Sequence, residues 1–255
     1  MQNPIVLHIP HSSVTIPSES RTDYVCSEED LQREIETLTD LYTDQIFPAQ
    51  FFDSLLFPWS RLFVDVERFR NDADEPMAEK GMGVLYTHGN ELTRVRKTYP
   101  PADREAILAG SYDLHHSRLT QLVDRKLDQL GTALIIDCHS FPKQRLPYEK
   151  ESNRQRPEIC IGIDDYHTSQ VLVDFSKHYF DQQGYTLAIN DPFAGSLTPM
   201  KHYQKTKQVQ SMMIEVRRDL FLKEGTFAGV DSIPHDGFDA IQSLLTDFIK
   251  EIAVL

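Results

Sequence analysis

Cysteine is scarce in this 255-residue chain, with only Cys26, Cys138 and Cys160. An odd number at wide spacing supports neither a disulfide framework nor a Cys-x-x-Cys metal site, and it fits a reducing cytoplasm. Basic residues are also short: 26 Lys and Arg stand against 39 Asp and Glu, for a net charge of −13. A surface of that sign repels a phosphate backbone, and no local basic patch offsets it, so nucleic acid is not an expected partner. Long apolar runs are missing too. The strongest, Ala133 to Ile136, stops at Asp137, far short of the roughly 18 residues of a membrane span. The N-terminal residues carry neither the basic start nor the apolar stretch of a secretion signal. A soluble protein with no membrane partner is expected.

What remains is the composition of a folded chain, 40% hydrophobic and 25% charged, at a length that suits one α/β domain over residues 1–255. An apolar run at 4–9, bounded by prolines, predicts a strand ending in Pro10-His11-Ser12-Ser13. Ser27 as N-cap, acids at 28–30 and apolar residues at 31, 35, 38, 42 and 46 predict one helix over 27–47. Residues 51–56 lead into a strand-like region at 61–66, and 71–83 reads as a loop. A long helix is predicted over 104–130, closed by Gly131. The all-apolar 132–136 reads as a buried parallel strand ending at Asp137-Cys138-His139-Ser140. A polar loop at 143–157, strands at 159–163, 185–189 and 211–216, and helices at about 168–183 and 238–252 complete the pattern. The alternation predicts an α/β fold with a mostly parallel mixed sheet flanked by helices, binding ligands at the carboxyl edge of its strands.

The chain has ten histidines, and histidine with carboxylate is the ligand set of a catalytic zinc where thiolates are absent. His11 and His139 each follow an apolar strand. One such histidine is an ordinary loop residue; two at equivalent strand ends point to a metal with three protein ligands and an open position. Asp40 and Asp44, spaced i, i+4 on the predicted helix, share a face and offer the carboxylate, unless that face is simply solvated. Asp137 is placed to orient His139 or to bond the strand end. Glu215 ends an apolar strand, where a carboxylate is costly to bury without a partner. It is either a general base or the ion-pair partner of Arg217 or Arg218.

Six segments in order resemble blocks of the N-formylglutamate amidohydrolase family: 9–13, Thr39-Asp40 with Asp44, 60–68, 137–141, 190–195 and 214–221. The resemblance runs from about residue 5 to 222. It implies a zinc-dependent amide hydrolase on the carboxypeptidase/phosphorylase-like fold shared with aspartoacylases. By matching, His11 and His139 would be metal ligands, Asp40 (slightly preferred) or Asp44 the carboxylate ligand, and Glu215 the acid/base group. Arg68 resembles the arginine of an Asp-x-Asn-Arg segment that grips a substrate carboxylate, a role its planar fork suits. Glu67 stands where that segment has asparagine and would repel a nearby carboxylate. Arg61, His116 and Asn190 match further substrate-side positions, with Arg94, Arg217 and Arg218 as other possible anchors.

The resemblance implies that a small anionic N-acyl amino acid is the substrate, foremost N-formyl-L-glutamate, giving formate and L-glutamate. Two other readings remain: a zinc hydrolase of another N-acyl amino acid or a peptidoglycan fragment, and a non-catalytic protein binding an acidic metabolite.

Overall fold

The computed structural model describes residues 3–149, 155–223 and 233–255; part of the predicted 143–157 loop falls outside them. Six strands form one sheet in the order β2-β1-β3-β6-β4-β5. These are β1 (Ile5–Ile9), β2 (Asp53–Leu56), β3 (Ala133–Phe141), β4 (Ile159–Gly162), β5 (Leu187–Ile189) and β6 (Val209–Arg217). β2, β1, β3 and β6 run parallel, whereas β4 is antiparallel to β6 and parallel to β5. The mixed, mostly parallel sheet expected from the sequence is therefore present. A separate ribbon pairs β7 (Leu222–Lys223) with β8 (Ile233–Pro234).

Alternation along the strands gives the two faces different tasks. Ile5, Leu7 and Ile9 of β1 point with Leu134, Ile136, Met212, Ile214 and Ile161 into the main core. That core is covered by α2 (Thr43–Ile46), α5 (Gln170–Gln182) and α6 (Phe238–Ile252), with Phe248 and Phe180 fully buried in it. On the opposite face, α4 (Tyr112–Leu130) packs Leu119 and Val123 over Val6, Ala133, Ile135 and Val209. Towards the carboxyl ends of the strands this second face turns polar. His8 lies beside Asp137 in register, and His139 beside Glu215.

Several elements differ from expectation for identifiable reasons. The helix predicted over 27–47 is α1 (Glu28–Leu38), then a break, then α2. Ser27 caps α1 as expected, but Thr39 is extended and Tyr42 is left-handed with φ of 64°. Tertiary bonds win here: the Asp40 amide donates to the His11 carbonyl at 2.9 Å. Residues 61–66 form turns, with the Asp65 amide bonded to the Val84 carbonyl, so their apolar side chains fill a local core instead of a strand. The long helix is split at Ser111 into α3 (Pro101–Gly110) and α4, and Gly131 at φ 74° closes α4 as predicted. β3 continues beyond Asp137 to Phe141, which places His139 inside the strand rather than in a loop after it. Among the described residues, no helix is long and apolar enough to cross a membrane.

The main core sets the stability of the sheet. Phe248→Ala should lower the unfolding free energy by about 3–5 kcal/mol, read as a lower urea midpoint with an unchanged m-value; a shift below 1 kcal/mol would contradict this assignment of the core.

Candidate active site

The polar end of the α4 face gathers four histidines and five carboxylates, nearly all buried. His11 is fixed first. Its Nε2–H donates to Asp65 Oδ1 at 2.9 Å, which leaves Nδ1 as the lone-pair nitrogen, and that buried atom has no hydrogen-bond partner among the described residues. His139 Nδ1–H donates to Asp40 Oδ2 at 2.9 Å, turning Nε2 towards Glu67, whose Oε2 is 3.1 Å away. Glu67 Oε2 is also 3.6 Å from His11 Nδ1. In each case a carboxylate holds one imidazole nitrogen so that the other faces a common space, the arrangement that orients histidine ligands of metals.

The donor set fits a divalent cation. His11, Glu67 and His139 present ligand atoms that all lie within 4.8 Å of one another, and two imidazoles with one carboxylate suit zinc or a similar ion. The orphaned His11 Nδ1 is the strongest sign, since a buried polar atom without a partner is costly unless a ligand completes it.

The charges around this space shift one another. Burial opposes the charged His139 ring, but Glu67, Asp137 and Asp40 outweigh it and hold the His139 pKa well above its ordinary value. Burial and Arg61 work against a charged His11, and Asp65 and Asp40 overcome them to raise its pKa too. Asp40 is driven the other way: burial favours its neutral form, yet the neighbouring His11 and His139 rings hold it well below the usual carboxylate range. Glu215 has no such donors among the described residues. Burial, with Asp40 and Glu67 nearby, pushes its pKa up to about 8 despite His139 and Arg218, and its Oε2 is buried with no partner among the described residues.

Asp40 and Asp44 separate completely. Asp40 is 3% exposed, accepts from His139, and receives Arg218 Nη2 on its other oxygen at 3.2 Å. Asp44, on α2, makes no hydrogen bond or ion pair to either histidine among the described residues. The two do not share a helical face, because the helix breaks between them. The carboxylate nearest both facing nitrogens is Glu67, which sequence reasoning had placed as a threat to the substrate.

Arg61 and Arg68 converge on Asp65. Arg61 donates to Asp65 Oδ2 through Nη2 at 2.8 Å and Nε at 3.2 Å. Arg68 Nε lies 3.5 Å from the same oxygen without a hydrogen bond, and its Nη2 donates to Tyr86 Oη at 3.3 Å. His116 Nε2–H donates to the Val66 carbonyl at 2.7 Å, steadying the segment that carries Glu67; burial pushes its pKa down to about 4. Asn190 is exposed and uses Oδ1 to accept from the amides of Ile163 and Gly195, so it shapes the 190–195 loop and does not join the cluster. That loop approaches β4 so closely that a Cβ on Gly162 would stand 2.2 Å from the Gly195 carbonyl oxygen. Glu215 makes no ion pair with Arg217 among the described residues; Arg217 instead holds Asp219.

A model of the N-formylglutamate amidohydrolase family matches residues 3–222. The chain belongs to that family. Its fold is similar to the crystal structure of N-formylglutamate amidohydrolase from Ralstonia eutropha JMP134, with a TM-score of 0.83 and 22% identity over 99% of this chain and 93% of that one. A gene product from Agrobacterium tumefaciens is also similar, with a TM-score of 0.66 and 19% identity over 98% of this chain and 92% of that one. At these identities the likeness shows the fold. Comparison with curated proteins gives no match.

Sequence reasoning did not place Glu67, Asp65 or His8 in this cluster. A signal was there: Asp65 and Glu67 alternate with Val64 and Val66, and His8 interrupts an otherwise apolar strand.

The raised Glu215 pKa has a measurable consequence for this protein in the absence of metal. Between about pH 4.5 and 8 the folded protein keeps a proton that the unfolded chain has released, so stability falls as pH rises. The loss from this group approaches about 1.4 kcal/mol per pH unit. Urea midpoints across that window should fall less steeply in Glu215→Gln; equal slopes would show that Glu215 is ionised throughout.

Proposed function

We infer that the protein hydrolyses the amide of an N-acyl amino acid, N-formyl-L-glutamate being the substrate that family membership favours, with a zinc ion held by His11, His139 and Glu67. The observation that carries this reading is the convergence of two carboxylate-oriented histidines on Glu67, with the unpartnered Glu215 oxygen in the same buried space. Asp40 and Asp65 act through the histidines and are positioning residues.

Bound zinc supplies Lewis-acid polarisation of the amide carbonyl, a more acidic water, and a positive charge that draws down the Glu215 pKa. Glu215 takes the proton of the attacking water and passes it to the departing nitrogen. Arg68, whose buried Nε is unsatisfied, holds a substrate carboxylate together with Arg61, fixing the amide for attack. These two guanidinium groups offset, locally, the repulsion that a protein of net charge −13 exerts on an anion. Glu67 no longer argues against an acidic substrate, because its carboxylate faces His11 and His139.

Formate release from N-formyl-L-glutamate should vanish on chelation and return with zinc. Glu215→Gln should lower the rate at least about 100-fold while zinc still binds. Full activity after chelation would sink the metal role, and an active Glu215→Gln would remove that residue from proton transfer. Faster turnover of N-acetyl or peptidoglycan amides in the same assay would shift the substrate, and no turnover of any would favour a binding protein.

A further inference from the structure

We propose that the pocket binds two divalent cations, the second held by His8, Asp137 and the far oxygen of Glu67. This rests on the reading of the first site, because Glu67 serves both. His8, Glu67 and Asp137 form a second group whose ligand atoms all lie within 4.8 Å of one another. His8 Nδ1 is 2.7 Å from Asp137 Oδ1 and 3.8 Å from Glu67 Oε1. The two oxygens of Glu67 face different histidines, Oε2 lying 3.6 Å from His11 Nδ1 and Oε1 3.8 Å from His8 Nδ1, while His139 Nε2 is 3.1 Å from Oε2 and 3.2 Å from Oε1. His139 Nε2 lies between the groups, 3.1 Å from Glu67 Oε2 and 3.3 Å from Asp137 Oδ1. Donors around a four-coordinate ion with bonds of about 2.0–2.1 Å stand about 3.3 Å apart, and the separations of 3.6 and 3.1 Å in the first group and 2.7 and 3.8 Å in the second scatter around that value. A carboxylate spread across two such spaces is placed to bridge two ions, as in hydrolytic sites with paired metals.

The far end of the His8 ring supplies the independent observation. His8 is fully buried, and its Nε2 meets His115 Nε2 at 2.8 Å. Two imidazole nitrogens at that distance share one proton. His115 is buried near the N-terminus of α4, where both the helix dipole and burial disfavour a positive ring, so it is a neutral partner. The His115 contact occupies His8 Nε2, so Nδ1 is the nitrogen that His8 turns to Asp137 and Glu67. His8 is thereby held as ligating histidines are, by a hydrogen bond at the nitrogen away from the metal. One imidazole and two carboxylates make a harder donor set than the first site, suited to Mn²⁺ as well as Zn²⁺.

The test is the stoichiometry of the full chain. Chelator-stripped protein is loaded with Zn²⁺ or Mn²⁺, freed of unbound ion and measured by elemental analysis, with electron paramagnetic resonance of the Mn²⁺ form. Two equivalents per chain and a spin-coupled Mn²⁺ spectrum are expected. His8→Gln should bind one equivalent and show an uncoupled spectrum. Asp137→Asn should do the same, and circular dichroism would confirm that each variant folds. One equivalent in the unsubstituted protein, lost in His11→Gln and kept in His8→Gln, would overturn the second site alone. Two equivalents unaffected by His8→Gln would also overturn it. No metal in the unsubstituted protein would overturn the first site and the second with it. Because the coupled spectrum is read on unsubstituted protein, an unfolded variant leaves the decision intact.

Discussion

The site depends on keeping one carboxylate ionised where no water reaches it. Asp65 is fully buried, a position at which a lone charge would cost several kcal/mol. It persists because its oxygens are saturated: Arg61 donates twice, Tyr86 Oη donates at 2.8 Å, the Glu67 amide donates at 3.0 Å, and His11 donates at 2.9 Å. Arg68 adds its charge at 3.5 Å. Together these hold the Asp65 pKa well below its usual value despite burial. The same carboxylate therefore fixes the His11 tautomer, the arginines and the turn that presents Glu67.

Asp40 repeats the device on the other histidine. Arg218 is 2% exposed and ties Asp40 to the carbonyls of Thr37 and Ser140, so Asp40 is locked between α1 and β3 while it orients His139. The break in the helix after Leu38 follows from this. An unbroken helix would keep Asp40 on a helical face, whereas the break lets it reach both histidines. A buried polar network of this kind specifies one arrangement because every alternative leaves a charge unpaired.

The sheet explains why the cluster lies where it does. β1, β3 and β6 are parallel neighbours, so their carboxyl ends coincide, and one face is covered by α4 only over its apolar half. Beyond Leu119 and Val123, the residues in register are His8, Asp137, His139 and Glu215. His115, near the start of α4, meets His8 from above, and His116 bonds the Val66 carbonyl beside it. Alternation in the strands thus places the apolar ladder and the polar pocket on one continuous surface.

The sequence by itself determined the strand and helix alternation and the mixed parallel sheet, and it singled out His11, His139 and Glu215 as candidates, because hydrophobic periodicity and polar residues at the ends of apolar runs are local signals. It also carried the ordered blocks that place the chain in its family. The extent of β3 past Asp137, the separation of Asp40 from Asp44 and the turn of Glu67 towards the histidines were decided only in three dimensions. The physical reason is that hydrogen bonds between Asp65 and His11, 54 positions apart, and between Asp40 and His139, 99 apart, outweigh the local helical preference and set which nitrogen each imidazole turns to the pocket. No local pattern records such a choice.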